Sequence, residues 1–342
     1  MPTTALCRTG EDGWAPVEDL DEVMRLRRDP AAMVWIEGDV SGMTDEQVRE
    51  LARGFELDPL AIEDALSPRQ RPKLEAYPHH QLLVVHQLDE DEDDQLVPRQ
   101  LAAFVGEGFA VVLHHAADRL VAEARRRVQG SDRRPDPSGD RLMHLIVDAA
   151  VDDDEAHATR VSEEIEDLEA EALGTARSRE RRDAPSAARA PLPSQFHLYT
   201  LKQQLSTLRR YAVPVGAALE RRHPSDGSRG ASGDGEVERL FRDVHDHVVR
   251  LAAQVRSSNE LIDGVIELAR ALQGDQLNEI NKKLTGWAAV VAASALIAGL
   301  YGVNYRLLPP LALGRWGFAY VAALMLATSG ALYLFFKRRG WL

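Results

Sequence analysis

The chain has 342 residues, a formal net charge of -13 and one cysteine. The acid excess argues against a nucleic-acid binder, whose phosphates call for a basic footprint, and Cys7 alone excludes an internal disulfide or a thiolate-rich metal site. A mean hydropathy of -0.29 suggests a soluble protein, but it averages two unlike parts: charged residues fill the chain through Lys283 and almost vanish beyond it.

Met1 to Trp14 carries Glu11 and Asp12 and no apolar run, so no secretory leader is expected. Residues 1–130 read as an α/β domain. The runs Ala31–Ile36, Gln81–His86, Leu101–Val105 and Phe109–Leu113 are rich in aliphatic and aromatic residues and predict strands. Thr44 is placed to cap a helix through Phe55, with Val48, Leu51 and Phe55 on one face. The acidic run Asp89–Asp94 reads as a solvated hairpin tip, and residues 116–129 return to helix.

Residues 131–283 read as a helical region. Leu142, Leu145, Ile146, Ala149 and Ala150 form an apolar stripe, and carboxylates crowd Asp152 to Glu171 on the outer faces. Residues 175–194 and 223–236 predict loops, with a helix from Phe196 to Tyr211 between them. Val237, Leu240, Phe241, Val244, Val248, Leu251 and Val255 then repeat at spacings of three and four, and no proline falls between Pro224 and Pro309. That pattern predicts one long stalk helix from about residue 236 to 303, on the order of 100 Å at the standard rise. A rod of that length needs neighbours, most simply copies of itself.

Residues 284–342 read as two transmembrane helices, about 284–303 and 316–336, joined by a short external loop. The charge-free stretches hold 22 and 21 residues, each enough for a bilayer core of about 30 Å. Lys282, Lys283, Lys337, Arg338 and Arg339 flank the pair on one side, against Arg306 and Arg315 in the loop. The positive-inside bias therefore puts both termini in the cytoplasm, and a cell (inner or plasma) membrane is the expected location. Asn278, Asn281 and Thr285 share one face of the first span, which Ala289, Ala292, Leu296 and Gly299 continue. Such a stripe suits a water-filled pore or close helix packing. No P-loop, nucleophile elbow or His-Glu-x-x-His pattern occurs, so no enzyme and no organic cofactor are expected.

Several blocks resemble the CorA family of divalent-cation (magnesium/cobalt) channels, the two-transmembrane Gly-Met-Asn type. They are Phe55–Leu66 with Gln70–Tyr77, Leu145–Asp153, Phe241–His247, Leu277–Glu279 with Leu284-Thr285, Ile297–Asn304, and the terminus Phe336–Leu342. The resemblance implies a funnel-shaped homopentamer with an α/β cytoplasmic domain, a stalk helix that becomes the pore-lining span, and an outer second span. It implies passive transport of Mg2+, with Co2+ and Ni2+, through a filter at Gly302, Val303 and Asn304, and Asn278 as a pore asparagine. It implies Mg2+ as a regulatory ligand that closes the channel between subunits at Asp64 and Asp243, with Glu63, Asp148 and His247 at a second contact nearby. The alternatives are a Zn2+ transporter of the same superfamily and a membrane regulatory protein that does not conduct.

The chain departs from the family pattern at Val303, where the family has Met, and at Ala293, where a proline is common. Asn281 replaces a usually hydrophobic gate residue. The loop after Asn304 reads Tyr-Arg-Leu-Leu-Pro-Pro, with no carboxylate where one is usual.

Overall fold

The computed structural model describes residues 3–9, 13–29, 32–68, 70–130, 139–180, 194–220, 234–303 and 315–341. Chain packing divides them into two compact units, one of residues 1–178 and 183–265 and one of residues 179–182 and 266–342.

The first unit is built on a seven-stranded sheet. Its strands are β1 (Thr3–Thr9), β2 (Trp14–Val17), β3 (Ala32–Asp39), β4 (Lys73–Ala76), β5 (His80–Glu90), β6 (Leu96–Gly106) and β7 (Phe109–His114), in the order β2-β1-β3-β7-β6-β5-β4. All neighbours run antiparallel except β3 and β7, which pair parallel from Val34↔Phe109 to Asp39↔His114. The apolar runs of β3, β5, β6 and β7 follow from burial on both faces. Successive side chains alternate between the faces: Met33, Trp35, Leu83, Val85, Ala103 and Val112 enter one core, and Val34, Ile36, Leu82, Val84, Phe104 and Val111 enter the other.

Helices α1 (Leu20–Leu26), α2 (Asp45–Gly54) and α3 (Pro59–Leu66) cover the second face, contributing Val23, Leu51, Phe55, Ala61 and Ala65. Thr44 caps α2 as its position suggested. Its Oγ1 accepts from the Gln47 N–H at 3.3 Å, and its own N–H donates to Gln47 Oε1 at 2.8 Å. On the first face lie α4 (Asp118–Gln129), α5 (Asp140–Glu180), α7 (Pro214–Glu220) and the start of α8 (Asp234–Val303), while α6 (Gln195–Tyr211) packs near β6. The apolar stripe of α5 is buried at Leu142, Ile146, Ala149 and Ala150, and the seam of α8 is buried at Phe241, Val244, Val248, Leu251 and Val255. A buried hydroxyl pair, Ser162 and Ser258 at 2.7 Å, ties α5 to α8, and Gln254 donates to Ser162 at 3.2 Å.

Two boundaries differ from the sequence reading. Helix α5 continues to Glu180, through the residues from 175 expected to be loop, because Ala and Arg favour helix. Helix α8 begins at Asp234, inside the second expected loop. Of the rest of the two expected loops, 181–193 and 223–233 lie outside the described residues.

His86, on β5, is buried against the Tyr211 ring of α6 at 4.6 Å, and neither imidazole nitrogen has a hydrogen-bond partner among the described residues. Burial lowers its pKa to about 4. A base depressed in the folded state is protonated first in the unfolded chain. Stability is therefore full above the ordinary value of about 6.5 and is lost as pH falls toward 4. Thermal unfolding of the detergent-solubilised protein should show a loss of stability between pH 7 and pH 5 that is smaller by about 2 kcal/mol in His86→Phe, the buried His80 with its pKa also near 4 keeping its own share.

Candidate ion pathway and metal centre

Helix α8 is 70 residues long and unbroken. Its C-terminal stretch and α9 (Arg315–Arg338) are long and apolar enough to cross a membrane, and almost none of either apolar stretch is buried within the chain. That exposure excludes a pair of core helices. The two meet at Trp287 and Tyr333, whose ring centroids lie 6.1 Å apart, and at Ser294 and Ser329, whose hydroxyls lie 2.6 Å apart.

Trp287 and Ser294 fall on one face of α8, since seven residues make almost two turns. At about 100° per residue, Asn278, Asn281, Thr285, Ala289, Ala292, Leu296 and Gly299 lie on the opposite face. All of these except Ala289 are exposed, and Ala289 is half-buried. The second helix therefore leaves the polar-then-small stripe uncovered. Gly302 sits in the last turn with nothing within 4 Å of a notional Cβ. Asn304 and the loop through Gly314 lie outside the described residues, as does the Val303 side chain.

The carboxylates singled out in the sequence occupy two places in the first unit. Asp64 is on α3, whose C-terminal end is clamped by the buried Gln100. The Gln100 amide donates to the carbonyls of Asp64 and Ala65, each at 3.2 Å. The Asp64 carboxylate accepts from Lys73 Nζ of β4 at 2.5 Å, and Lys73 also bonds Glu75 at 2.7 Å. Burial pulls the Lys73 ammonium down, but its bonds to Asp64 and Glu75 outweigh this and hold its pKa above the usual lysine value. Glu63 is exposed on the same helix.

The second place lies between α4, α5 and α8. Asp148, Asp152 and Glu155 recur on α5 at helical spacing. His247 Nδ1 of α8 lies 3.1 Å from both Glu155 oxygens, and its Nε2 lies 3.9 Å from Asp243, whose side chain is 74% exposed. Asp152, Glu155 and His247 each offer a ligand atom within 4.8 Å of the others. Arg127 reaches into this cluster, bonding Asp148 at 2.6 Å, Asp152 at 2.7 Å and Glu123 at 2.8 Å. Beside them His144 packs edge-on to Phe241 at 5.7 Å. Burial lowers its pKa against the pull of both Asp148 and Asp243.

Asp148, Asp243 and His247 thus gather around one α5–α8 seam, while Asp64 and Glu63 sit apart on α3. Sequence reasoning missed Glu155 and Asp152 as partners of His247. The signal available was their i, i+3 spacing on one face of α5. A further group, Asp39, His114 and Asp118, also lies within ligand distance. Two of its three side chains are already engaged: His114 Nδ1 accepts the Ala117 N–H at 3.2 Å, and Asp39 Oδ1 accepts from the Ser41 N–H and hydroxyl at 2.9 and 2.7 Å.

The family described as CorA-like Mg2+ transporter protein matches residues 30–338. The chain belongs to it. The "Cobalt/magnesium transport protein CorA" of Thermotoga maritima is 25% identical over 95% of this chain and 87% of that protein. The "Putative metal ion transporter YfjQ" of Bacillus subtilis is 25% identical over 93% of both. Among solved structures, the CorA magnesium transporter from Methanocaldococcus jannaschii superposes with a TM-score of 0.75 at 17% identity, covering 99% of this chain and 98% of that one. The CorA fold is therefore present from the α/β unit through the long helix to the two apolar C-terminal helices, and the chain is a membrane protein of a divalent-cation transporter family.

Within this CorA-family chain, the two places differ in ligand chemistry. An imidazole suits Co2+, Ni2+ or Zn2+, whereas Mg2+ takes oxygen ligands. Titration with Co2+ followed by its visible absorbance should show binding that His247→Gln weakens about tenfold or more, with Mg2+ binding nearly unchanged.

Proposed function

We propose that the chain is a passive divalent-cation channel of the cell membrane. It assembles as a homopentamer around α8 with its termini in the cytoplasm, and Mg2+ is the principal ion, with Co2+ and Ni2+ also carried. The observation that carries this reading is the uncovered stripe from Asn278 to Gly299, opposite the α9 contact and leading to Gly302, Val303 and Asn304. Copies of α8 around an axis would turn that face inward and line a wet path. The relatives' descriptions as cobalt/magnesium or metal ion transporters support the ion class.

Mg2+ gives up its water reluctantly. A ring of Asn304 amide oxygens can hold the hydrated ion through its waters, and Gly302 lets the backbone turn at the helix end. Arg306 from each subunit would repel cations at the mouth and slow entry.

For regulation, Asp64 of one subunit and Asp243 of the next would share a Mg2+ that holds the closed state, with Glu63, Asp148 and His247 at a neighbouring contact. Loss of the ion leaves carboxylates facing each other, and the assembly loosens. Zn2+ is the second reading, favoured by the imidazole among Asp152, Glu155 and His247.

Flux into liposomes, measured for Mg2+, Co2+, Ni2+ and Zn2+ in turn, tests the channel. Asn304→Ala should lose selectivity and at least about tenfold in Mg2+ rate, the weight of one good oxygen contact. Absence of flux for all four ions would leave a regulatory membrane protein instead.

The tethered Lys73 ammonium already occupies Asp64. Lys73→Met should therefore free the carboxylate and lower the Mg2+ concentration for half-inhibition by about three- to tenfold. Asp64→Ala with Asp243→Ala should raise it. An inhibition curve that neither change moves removes Asp64 from the regulatory site.

A further inference from the structure

Where the apolar stretch of α8 begins, beside the C-terminal end of α9, lies a cluster that includes none of the residues of the proposed pore stripe or filter. Trp287 and Tyr333 touch across the hairpin, with ring centroids 6.1 Å apart. Lys283 lies one turn before Trp287 on the same face of α8, and Lys337 lies one turn after Tyr333 on α9. In an antiparallel pair, both lysines therefore fall on the same side of the ring contact. The Lys337 ammonium stands 5.6 Å from the Tyr333 centroid, and the Arg339 guanidinium 5.1 Å from that of Phe335.

The helix end that presents these groups is capped. Gly340 adopts φ +71°, the Trp341 N–H bonds the Phe336 carbonyl at 2.9 Å, and the Gly340 N–H bonds the Lys337 carbonyl at 3.2 Å. That is a Schellman closure, and the Phe336–Trp341 stack at 5.5 Å supplies its apolar contact.

Charge and apolar surface adjoin there. Lys282, Lys283, Lys337, Arg338 and Arg339 supply five basic side chains there, and Lys283 bonds Glu279 at 3.0 Å. No Asp or Glu follows Glu279 in the whole chain. Beside the basic groups, Leu284, Trp287, Leu334 and Phe335 are each more than half exposed. An occupant must offer an anion to the lysines and a hydrocarbon to these side chains, and a free phosphate offers only the first.

We propose that this groove binds an acidic phospholipid. The headgroup phosphate lies between Lys283 and Lys337 over the Trp287–Tyr333 pair, and the acyl chains run along the exposed faces of α8 and α9. Clustered Lys and Arg beside membrane helices attract anionic headgroups, and interfacial Trp and Tyr fix the depth. Occupancy would also neutralise basic charge close to the path of the ion. The inference rests on the membrane placement of the two helices and not on conduction.

The test is native mass spectrometry of the full-length protein, released from micelles containing equal phosphatidylglycerol and phosphatidylcholine. Wild type should retain phosphatidylglycerol about thirtyfold over phosphatidylcholine, from two lysines near the surface at about 1 kcal/mol each. Lys283→Gln with Lys337→Gln should bring the two lipids to parity, and Lys283→Arg with Lys337→Arg should restore the preference. Asn304→Ala should bind as wild type does, which separates lipid binding from the channel reading. Equal retention of both lipids by wild type, an unchanged preference in the double Gln variant, or displacement by millimolar inorganic phosphate would each overturn the proposal.

Discussion

The continuity of α8 is the constraint on which the rest depends. A peptide group in hydrocarbon must find its hydrogen bond within its own segment, whereas in water it need not. A helix satisfies both solvents with one backbone geometry, so the chain can change solvent by changing side chains alone. That is what the α8 sequence does. Its first part carries a buried seam from Phe241 to Val255 among charged neighbours, and beyond Lys283 the charges stop. A proline in this stretch would remove a bond and bend the rod, and none occurs between Pro224 and Pro309.

The first unit holds the start of that helix through a sheet covered on both faces. The cost is a large set of ionisable groups gathered on the outside of α4, α5 and α8. Arg127 and Arg119 meet that cost as tethered cations, each bridging carboxylates from other elements, and Lys73 plays the same part apart from them, between Asp64 of α3 and Glu75 of its own strand. They are fixed in number and cannot diffuse away. A divalent ion that binds among the same carboxylates must displace them or share with them, so the tethered cations set how much free ion is needed. Such partners raise the free-ion concentration at which a divalent ion would half-fill the cluster, relative to the same carboxylates without them.

Much of this fold was legible in the sequence because burial on two faces leaves long apolar runs. β3, β5, β6 and β7 announced themselves that way, and Thr44 announced the start of α2. β1, β2 and β4 did not. They hold Thr, Arg, Pro, Lys and Glu, and their strand character comes from pairing: β1 lies between β3 and β2, as Thr3↔Gly38 shows, and β2 and β4 are edge strands with one neighbour each. The apolar seams of α5 and α8 were legible as periodicity, and so was the stripe opposite Trp287 and Ser294. The electrostatic partners were not. Lys73 with Asp64 and Glu155 with His247 join different elements, and no local pattern records such a contact. Asp64 and Asp243 were marked by family resemblance alone, and one subunit leaves them with separate partners, Lys73 and His247.

The charge distribution then bears on how an ion could travel the proposed path. From Ile280 to the C-terminus the chain has seven basic residues and no acidic one. A pathway so furnished cannot draw a divalent cation by fixed negative charge. On the proposed path, selectivity would rest on neutral oxygens such as those of Asn278, Asn281 and Asn304, and the driving force on the membrane potential. That force is about 2.3 kcal/mol per elementary charge per 100 mV, hence about 4.6 kcal/mol for a divalent ion. Repulsion between that ion and exposed lysines several ångströms away is of the order of 1 kcal/mol each in water. A potential of this size can therefore carry the ion past a few screened lysines but not past a desolvated ring of them. The basic ends of α8 and α9 must then stay wet, or be neutralised by anionic groups from outside the chain.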